Sequence, residues 1–270
     1  MTWTLYGANG YTGRLIAAEA VKRGHRPVLA GRNAAALRAM GAEFHLPVRA
    51  FALDDPNVVR QALKGQDLVL DCAGPFSATS APMLDACLAV KAHYLDITGE
   101  IGVFAACHAR DADAQAAGIV VHPGAGFDVV PTDCLAARLK QALPEAVELV
   151  LAFEAGGGPS PGTAKTGVEG LGQGGRARID GQLQKVPLAW KTRKFDRAKS
   201  GEAPDLRLAM TIPWGDLYTA YVSTGIPNIE TYMPTSVAAG PAGAATFIFS
   251  GPVSGIPRAS RSSISACVSW

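Results

Sequence analysis

The chain is predicted to be an α/β protein. Its first part reads as a doubly wound parallel sheet, and a second α+β domain with a mainly antiparallel sheet follows. Three observations carry this expectation. Short apolar runs alternate with helix-like segments over residues 1–127, joined by short connections. The first alternation contains three glycines at G-x-x-G-x-x-G spacing. From Val147 onward the signals become longer strand-like runs separated by glycine-rich turns.

The elements follow in order. Thr2 to Tyr6 is the first strand, and Arg14 to Arg23 the helix behind the glycine loop. Pro27 to Ala30 is the second strand. Asn33 to Met40, alanine-rich and closed by Gly41, is a helix. Val48 to Leu53 reads as the third strand, and Asp55-Pro56 opens a helix that stops at Gly65. Asp67 to Cys72 has the continuous apolar pattern of a buried strand. A helix over Thr79 to Lys91, a strand over His93 to Ile97, a longer helix over Ile101 to Ala117 and a sixth strand over Ile119 to His122 complete the sheet. Pro131 to Leu143 is a helix with Asp128 nearby as a cap. Strands are expected over Glu148 to Glu154, Ala177 to Val186, Leu206 to Ile212 and Ile229 to Met233. The expected domains are 1–127, 128–235 for substrate binding and dimerisation, and an atypical tail over 236–270, rich in Ala, Gly, Pro and Ser.

Composition narrows the classes. A chain of 270 residues with 48% hydrophobic and 18% charged residues forms a core and is not disordered. A net charge of +2, with no basic run, argues against a nucleic-acid partner. The uncharged stretch between Glu230 and Arg258 is long enough to span a bilayer. Its glycines and prolines make a continuous helix poor, so membrane contact is not expected. The five cysteines form no C-x-x-C pair and read as reduced thiols, and the five histidines are isolated, so no metal site is expected. Met1-Thr2-Trp3-Thr4 runs straight into the first strand, which leaves no room for a targeting peptide and suggests a cytoplasmic protein.

Tyr6-Gly7-Ala8-Asn9-Gly10-Tyr11-Thr12-Gly13 is the most informative stretch. Strand, tight turn and helix N-terminus together form a pyrophosphate cradle: free N–H groups and the positive end of the helix dipole face the anion. Glycine serves where the backbone bends, meets the phosphate or packs against the helix. This is the fingerprint of a Rossmann dinucleotide-binding unit. NAD-binding units usually carry an acid at the end of the second strand, for the ribose hydroxyls. Here Gly31-Arg32-Asn33 stands in its place. A guanidinium suits a 2′-phosphate, so NADP (NADPH) is the expected cofactor, with Arg14 in reach of the same phosphates. The alternative for Arg32 is a solvated surface arginine. Asp54, after the third strand, is a candidate for the adenine amino group or for a helix N-cap.

Candidate residues for the nicotinamide end are Ala73, Gly74, Pro75 and Phe76, after the fourth strand. Proline fixes the backbone, glycine allows close approach and Phe76 offers an apolar wall; a simple strand-to-helix turn is the alternative. Asp96-Ile97-Thr98-Gly99-Glu100 and Gly124-Ala125-Gly126-Phe127-Asp128 bring carboxylates to the crevice at the strand carboxyl ends. Glu100 and Asp128 are the candidate acids, with helix capping as the competing role. The substrate is expected among Ala73–Phe76, Thr98–Glu100, Gly126–Asp128 and the second domain, around Gly162 to Thr166 or Trp214. No tyrosine has a lysine four residues later, and no Ser-His-acid or Cys-His arrangement suggests itself.

These motifs resemble one family. YGANGYTG, AGRN, CAGPF, YLDITGE and GFDVVPTDC, with GTAKTGVEGL, TIPWGDLYTAY and STGIPNIETYM in the second part, are similar to the saccharopine dehydrogenase-like oxidoreductases, which include bacterial trans-acting enoyl reductases. The resemblance covers residues 3–233. It implies an NADP-binding Rossmann domain, a substrate domain, and reduction or oxidation of a small-molecule or acyl-chain substrate by a protein that could be a homodimer. The chain departs from the family after Met233 and at Lys165. Two functions compete: an NADP-dependent oxidoreductase, and a catalytically silent NADP-binding protein acting through partners.

Overall fold

The computed structural model describes residues 1–154, 174–196, 198 and 203–235, and the backbone of 263–269. The chain divides into two compact units, Met1–Phe127 and Asp128–Trp270.

The first unit is a six-stranded parallel sheet. Its strands are β1 (Trp3–Tyr6), β2 (Val28–Gly31), β3 (Val48–Ala50), β4 (Leu68–Asp71), β5 (His93–Asp96) and β6 (Val121–His122). Their order is β3-β2-β1-β4-β5-β6, so the winding of the chain across the sheet reverses between β1 and β4, as the doubly wound reading requires. Between the strands run α1 (Tyr11–Lys22), α2 (Ala34–Phe44), α3 (Pro56–Leu63), α4 (Phe76–Val90), α5 (Ile101–His108) and α6 (Asp111–Ala117).

Alternation along each strand builds the two cores. Leu5 and Leu29 pack with Ala17, Leu37 and Met40 of α1 and α2 on one face. Their neighbours Tyr6 and Ala30 join Val59, Leu63, Met83 and Cys87 of α3 and α4 on the other. A strand buried on both faces has no polar side to show, which is why these runs look continuously apolar.

Several boundaries differ from expectation. The helix expected from Arg14 starts at Tyr11, because Gly10 caps it without a side chain. Gly41 does not end α2. A β-carbon there would lie 2.4 Å from Val48 Cγ1, so glycine lets the helix approach β3, and His45 in the left-handed conformation closes the helix instead. The helix expected over Ile101 to Ala117 breaks in two at Arg110, whose guanidinium pairs with Asp85 and Asp113.

The second unit contains α7 (Val130–Ala142), β7 (Glu148–Glu154), β8 (Gly175–Ile179), β9 (Gln182–Val186), β10 (Thr192–Asp196), β11 (Leu206–Thr211), α8 (Asp216–Thr224), β12 (Asn228–Pro234) and β13 (Ser263–Ser269). The main strand order is β10-β11-β12-β7-β13, with the β8–β9 hairpin attached to β12. Pairing is mainly antiparallel, but β7 is parallel to both β12 and β13. Val150, Ala152, Phe195, Ala209 and Tyr232 form a buried cluster on this sheet. The single strand expected over Ala177 to Val186 is a hairpin turning at Asp180-Gly181, both with positive φ (49° and 77°). Helix α8 and strands β10 and β13 were not foreseen. Buried Arg178 holds α8 to the hairpin: its Nε–H donates to the Leu217 carbonyl and its Nη1–H to the Gly181 carbonyl, both at 2.7 Å, and its guanidinium lies over the Tyr221 ring. Among the described residues no helix is long and apolar enough to cross a membrane.

Candidate functional site

The glycine loop is built by close approach. Gly7 has φ 76°, and a β-carbon on it would sit 2.8 Å from the Ala73 nitrogen and the Cys72 carbonyl carbon. One on Gly13 would sit 2.4 Å from the Gly7 oxygen. These two glycines let α1 and the β4–α4 loop close on the turn. Gly10 is different. Its φ of −76° is ordinary, and a β-carbon there meets only the Gly7 oxygen, at 3.2 Å. The first bond of α1 runs from Arg14 N–H to the Gly10 carbonyl, so the N–H groups of Tyr11, Thr12 and Gly13 lie ahead of it. No side chain caps this end and no acid sits in its first turn. The arrangement fits a dinucleotide pyrophosphate. Asn9 stands exposed in the same loop.

The carboxyl ends of β1, β2 and β3 form the next part. Exposed Arg32 and Asp54 both act on the Tyr6 phenol, which burial pushes up to about 12. Asp71 also raises it, while Arg32 opposes them. No carboxylate stands at the end of β2. Asn33 caps α2 by accepting from Ala36 N–H at 3.1 Å. Asp55 caps α3, accepting from Asn57 and Val58 N–H, so Asp54 is not the cap. Arg14 pairs with Glu43 and lies over the Phe44 ring, which directs its guanidinium toward α2.

The loop from Ala73 to Phe76 is held at both ends. Asp71 Oδ1 accepts from Ala73 N–H at 2.9 Å, and the Thr79 hydroxyl donates to the Ala73 carbonyl at 2.7 Å. At the far end Glu100 Oε1 and Oε2 accept from Phe76 and Ser77 N–H, each at 2.8 Å. The carboxylate therefore caps α4, the competing role that the sequence left open for it. Glu100 N–H in turn donates to Thr98 Oγ1, and Thr98 N–H to Asp96 Oδ1. Asp96 Oδ1 also takes Gly124 N–H, and its Oδ2 takes the Tyr94 hydroxyl at 2.6 Å. Ala73, Gly74 and Pro75 stay partly or fully exposed, whereas the Phe76 ring is buried in the core cluster and walls the sheet.

The second unit carries the other candidate. Asp128 is half-buried, and burial pushes its carboxyl up to about 6. The cap of α7 is Val129, without a side-chain bond. The Asp128 carbonyl accepts from Trp214 Nε1–H at 2.6 Å, and the indole packs on Phe153. Asp216, which the sequence reading missed, is fully buried nearby. Residues Gly162 to Thr166, including Lys165, lie outside the described residues. Among the described residues no group of His, Cys, Asp and Glu side chains is arranged to hold a metal ion.

Comparison with known proteins bears out the family resemblance. Residues 3–121 match the family described as Saccharopine dehydrogenase NADP binding domain. A probable mitochondrial saccharopine dehydrogenase-like oxidoreductase of Arabidopsis thaliana is 30% identical over 172 residues, covering 56% of this chain and 38% of that protein. A putative trans-acting enoyl reductase of Mycobacterium tuberculosis is 31% identical over 155 residues, covering 52% of this chain and 36% of that one. These matches thus reach less than half of each relative. The solved saccharopine dehydrogenase (L-Glu forming) of Saccharomyces cerevisiae superposes with TM-score 0.63 at 13% identity, covering 86% of this chain and 54% of that chain. That likeness is one of fold.

Proposed function

We propose that this chain, whose residues 3–121 belong to the saccharopine dehydrogenase NADP-binding family, is an NADP(H)-dependent oxidoreductase. It would transfer hydride to or from a small-molecule or acyl-chain substrate, with enoyl reduction as the leading reaction. The observation that carries the reading is the uncapped N-terminus of α1 behind Gly7, Gly10 and Gly13, with Arg32 and no acid at the end of β2. The names of the Mycobacterium and Arabidopsis relatives support the reaction class.

The cofactor, when bound, supplies or accepts hydride. The chain's residues do the rest. The N–H groups of Tyr11, Thr12 and Gly13 hold the pyrophosphate. Arg32 pairs with the 2′-phosphate through charge-assisted bonds, and Asp54 receives the adenine amino group. The pinned backbone of Ala73 to Pro75 positions the nicotinamide end. Asp128 is the acid we assign to proton supply, because a carboxyl near 6 holds and releases a proton at neutral pH.

Calorimetric titration with NADPH and NADH tests the cofactor. Arg32→Ala should weaken NADPH binding by about ten- to a hundredfold and spare NADH. Equal weakening of both refutes the assignment. Turnover with a panel of enoyl, imine and keto substrates tests the chemistry. The engagement of Glu100 in the α4 cap favours the second reading, a silent NADP-binding protein. Tight NADPH binding without turnover on any substrate would establish it.

A further inference from the structure

The end of β2 is ringed by polar side chains that the fold does not use. Asn9 of the glycine loop, Arg32 just past β2 and Asp54 beyond β3 are all exposed. None of the three makes a hydrogen bond or ion pair among the described residues. Comparable groups close by are engaged: Arg14 pairs with Glu43, Asn33 caps α2 and Asp55 caps α3. The backbone carries Asn9 to this place. Ala8 N–H donates to the Ala30 carbonyl at 3.1 Å, which ties the loop to the end of β2. Gly31, the last residue of that strand, then meets Asn9 directly. A β-carbon on Gly31 would lie 3.2 Å from Asn9 Oδ1, its nearest neighbour. The Asn9 side chain thus fills the space that a side chain at Gly31 would enter.

That space has a chemical meaning. The end of the second strand is where a dinucleotide unit meets the ribose beside adenine, and an acid there accepts from the 2′-hydroxyl. Here Gly31 supplies no side chain, Arg32 follows it, and the amide of Asn9 reaches in from the loop. With Oδ1 turned to Gly31, the amide nitrogen is the free end. It offers two N–H donors and no charge. An uncharged donor beside a guanidinium suits a phosphate. A carboxylate in the same space suits a hydroxyl and repels a phosphate.

We propose that Asn9 is a second determinant of cofactor choice: its amide donates to the ribose 2′-phosphate beside Arg32, in the space that Gly31 leaves open. The proposal rests on the NADP-binding reading above. It gives one side chain of the phosphate loop to the adenosine end of the cofactor and leaves the pyrophosphate to the backbone N–H groups of Tyr11, Thr12 and Gly13. The roles of Asn9 and Gly31 are reciprocal, because any side chain at position 31 presses on the amide. The choice between a phosphate and a hydroxyl at the 2′ position is then written in two places, one on the strand end and one on the loop.

Calorimetric titration of the full chain with NADPH, NADH and adenosine 2′-monophosphate tests this. Asn9→Ala should weaken NADPH and the monophosphate alike, by about tenfold, and NADH by no more than about twofold. Asn9→Asp keeps the shape and adds a charge. It should weaken NADPH by about a hundredfold and hold or raise NADH affinity, so the preference for NADPH over NADH falls by about the same factor. Gly31→Ala leaves Asn9 in the chain but presses on its Oδ1; it should lower NADPH affinity by about threefold, with NADH again spared. Asn9 is exposed and bonded to nothing in the fold, so its variants should melt with the wild type. A contact with the pyrophosphate predicts a different pattern, equal loss of NADPH and NADH in Asn9→Ala, and that pattern overturns the proposal. So does an unchanged ratio of the two affinities in Asn9→Asp. A wild type that prefers NADPH, with Asn9→Asp unaltered, refutes the role of Asn9 alone. A wild type that binds neither cofactor, or prefers NADH, refutes the NADP reading together with it.

Discussion

Asp216, the first residue of α8, offers a strong electrostatic lever on the second unit. It is 1% exposed, and neither carboxyl oxygen has a hydrogen-bond partner. Burial pushes its carboxyl up to about 8; Asp133 and Asp128 add repulsion, and Thr132 opposes them. The unfolded chain releases this proton near the ordinary aspartate value of 3.8, whereas the folded chain keeps it to about 8. Stability from this group is therefore whole below about pH 4 and drains as pH rises toward 8. At about 1.4 kcal/mol per pH unit, the loss between pH 5 and pH 8 is roughly 4 kcal/mol. Asp216→Asn keeps the shape and does not titrate. Its stability relative to wild type should rise by roughly 4 kcal/mol from pH 5 to pH 8. Urea denaturation read by tryptophan fluorescence measures it, since Trp214 packs on Phe153 in the same unit. A difference that stays level across that range would show that Asp216 is already ionised in the folded protein, and the reasoning would fall.

Four further variants concern the first unit and the candidate acids. Gly10→Val should fold, because the backbone there is ordinary, yet lose NADPH and NADH binding; Gly13→Val should fail to fold, because its side chain would enter the Gly7 carbonyl. Calorimetry and circular dichroism separate them, and retained binding by a folded Gly10→Val would sink the cradle assignment. Glu100→Gln should cost roughly 1–2 kcal/mol of stability, seen in urea melts, and leave turnover by cofactor-loaded protein near normal. Asp128→Asn should do the reverse, lowering turnover at unchanged NADPH affinity; normal turnover would exclude Asp128 as the acid.

The first unit was largely legible because its signals are local. Leu5, Leu29 and Val69 sit in short apolar runs, and Gly7 and Gly13 stand where backbones touch. What the sequence hid depends on distant partners. The break at Arg110 needs Asp85, far away in the chain, and the role of Gly41 needs Val48 packed on the helix. Helix α8 lies among Tyr, Thr and Val residues of modest helix propensity and owes its place to Arg178 on another strand. Strand β10 is exposed at Thr192, Arg193 and Lys194, so no apolar alternation announced it. The β8–β9 hairpin did carry a local mark, Asp180-Gly181, a two-residue turn signal that was passed over. At the candidate site the glycines and Arg32 were readable, but the bonds of Glu100 to Phe76 and Ser77 were not. Asp71 and Asp96 had a trace too: Leu-Val-Leu-Asp and His-Tyr-Leu-Asp, two adjacent strands each ending in aspartate.

The parallel ladder between β7 and β13 sets a timetable for biosynthesis. Leu149 to Glu154 form a buried strand, and one of its two hydrogen-bonding edges is filled by Ser263–Ser269. The ribosome makes that apolar strand first, and its β13 neighbour emerges only after residues 155–262 have been made. Until then one edge of β7 offers bare N–H and C=O groups to whatever extended chain comes by. A nascent chain stalled before Ser263 would carry that edge uncovered, with two such chains able to stitch together there. Expression losses from premature termination should therefore appear as aggregates built on the second unit, while the first unit, complete at Phe127, would already stand finished beside them.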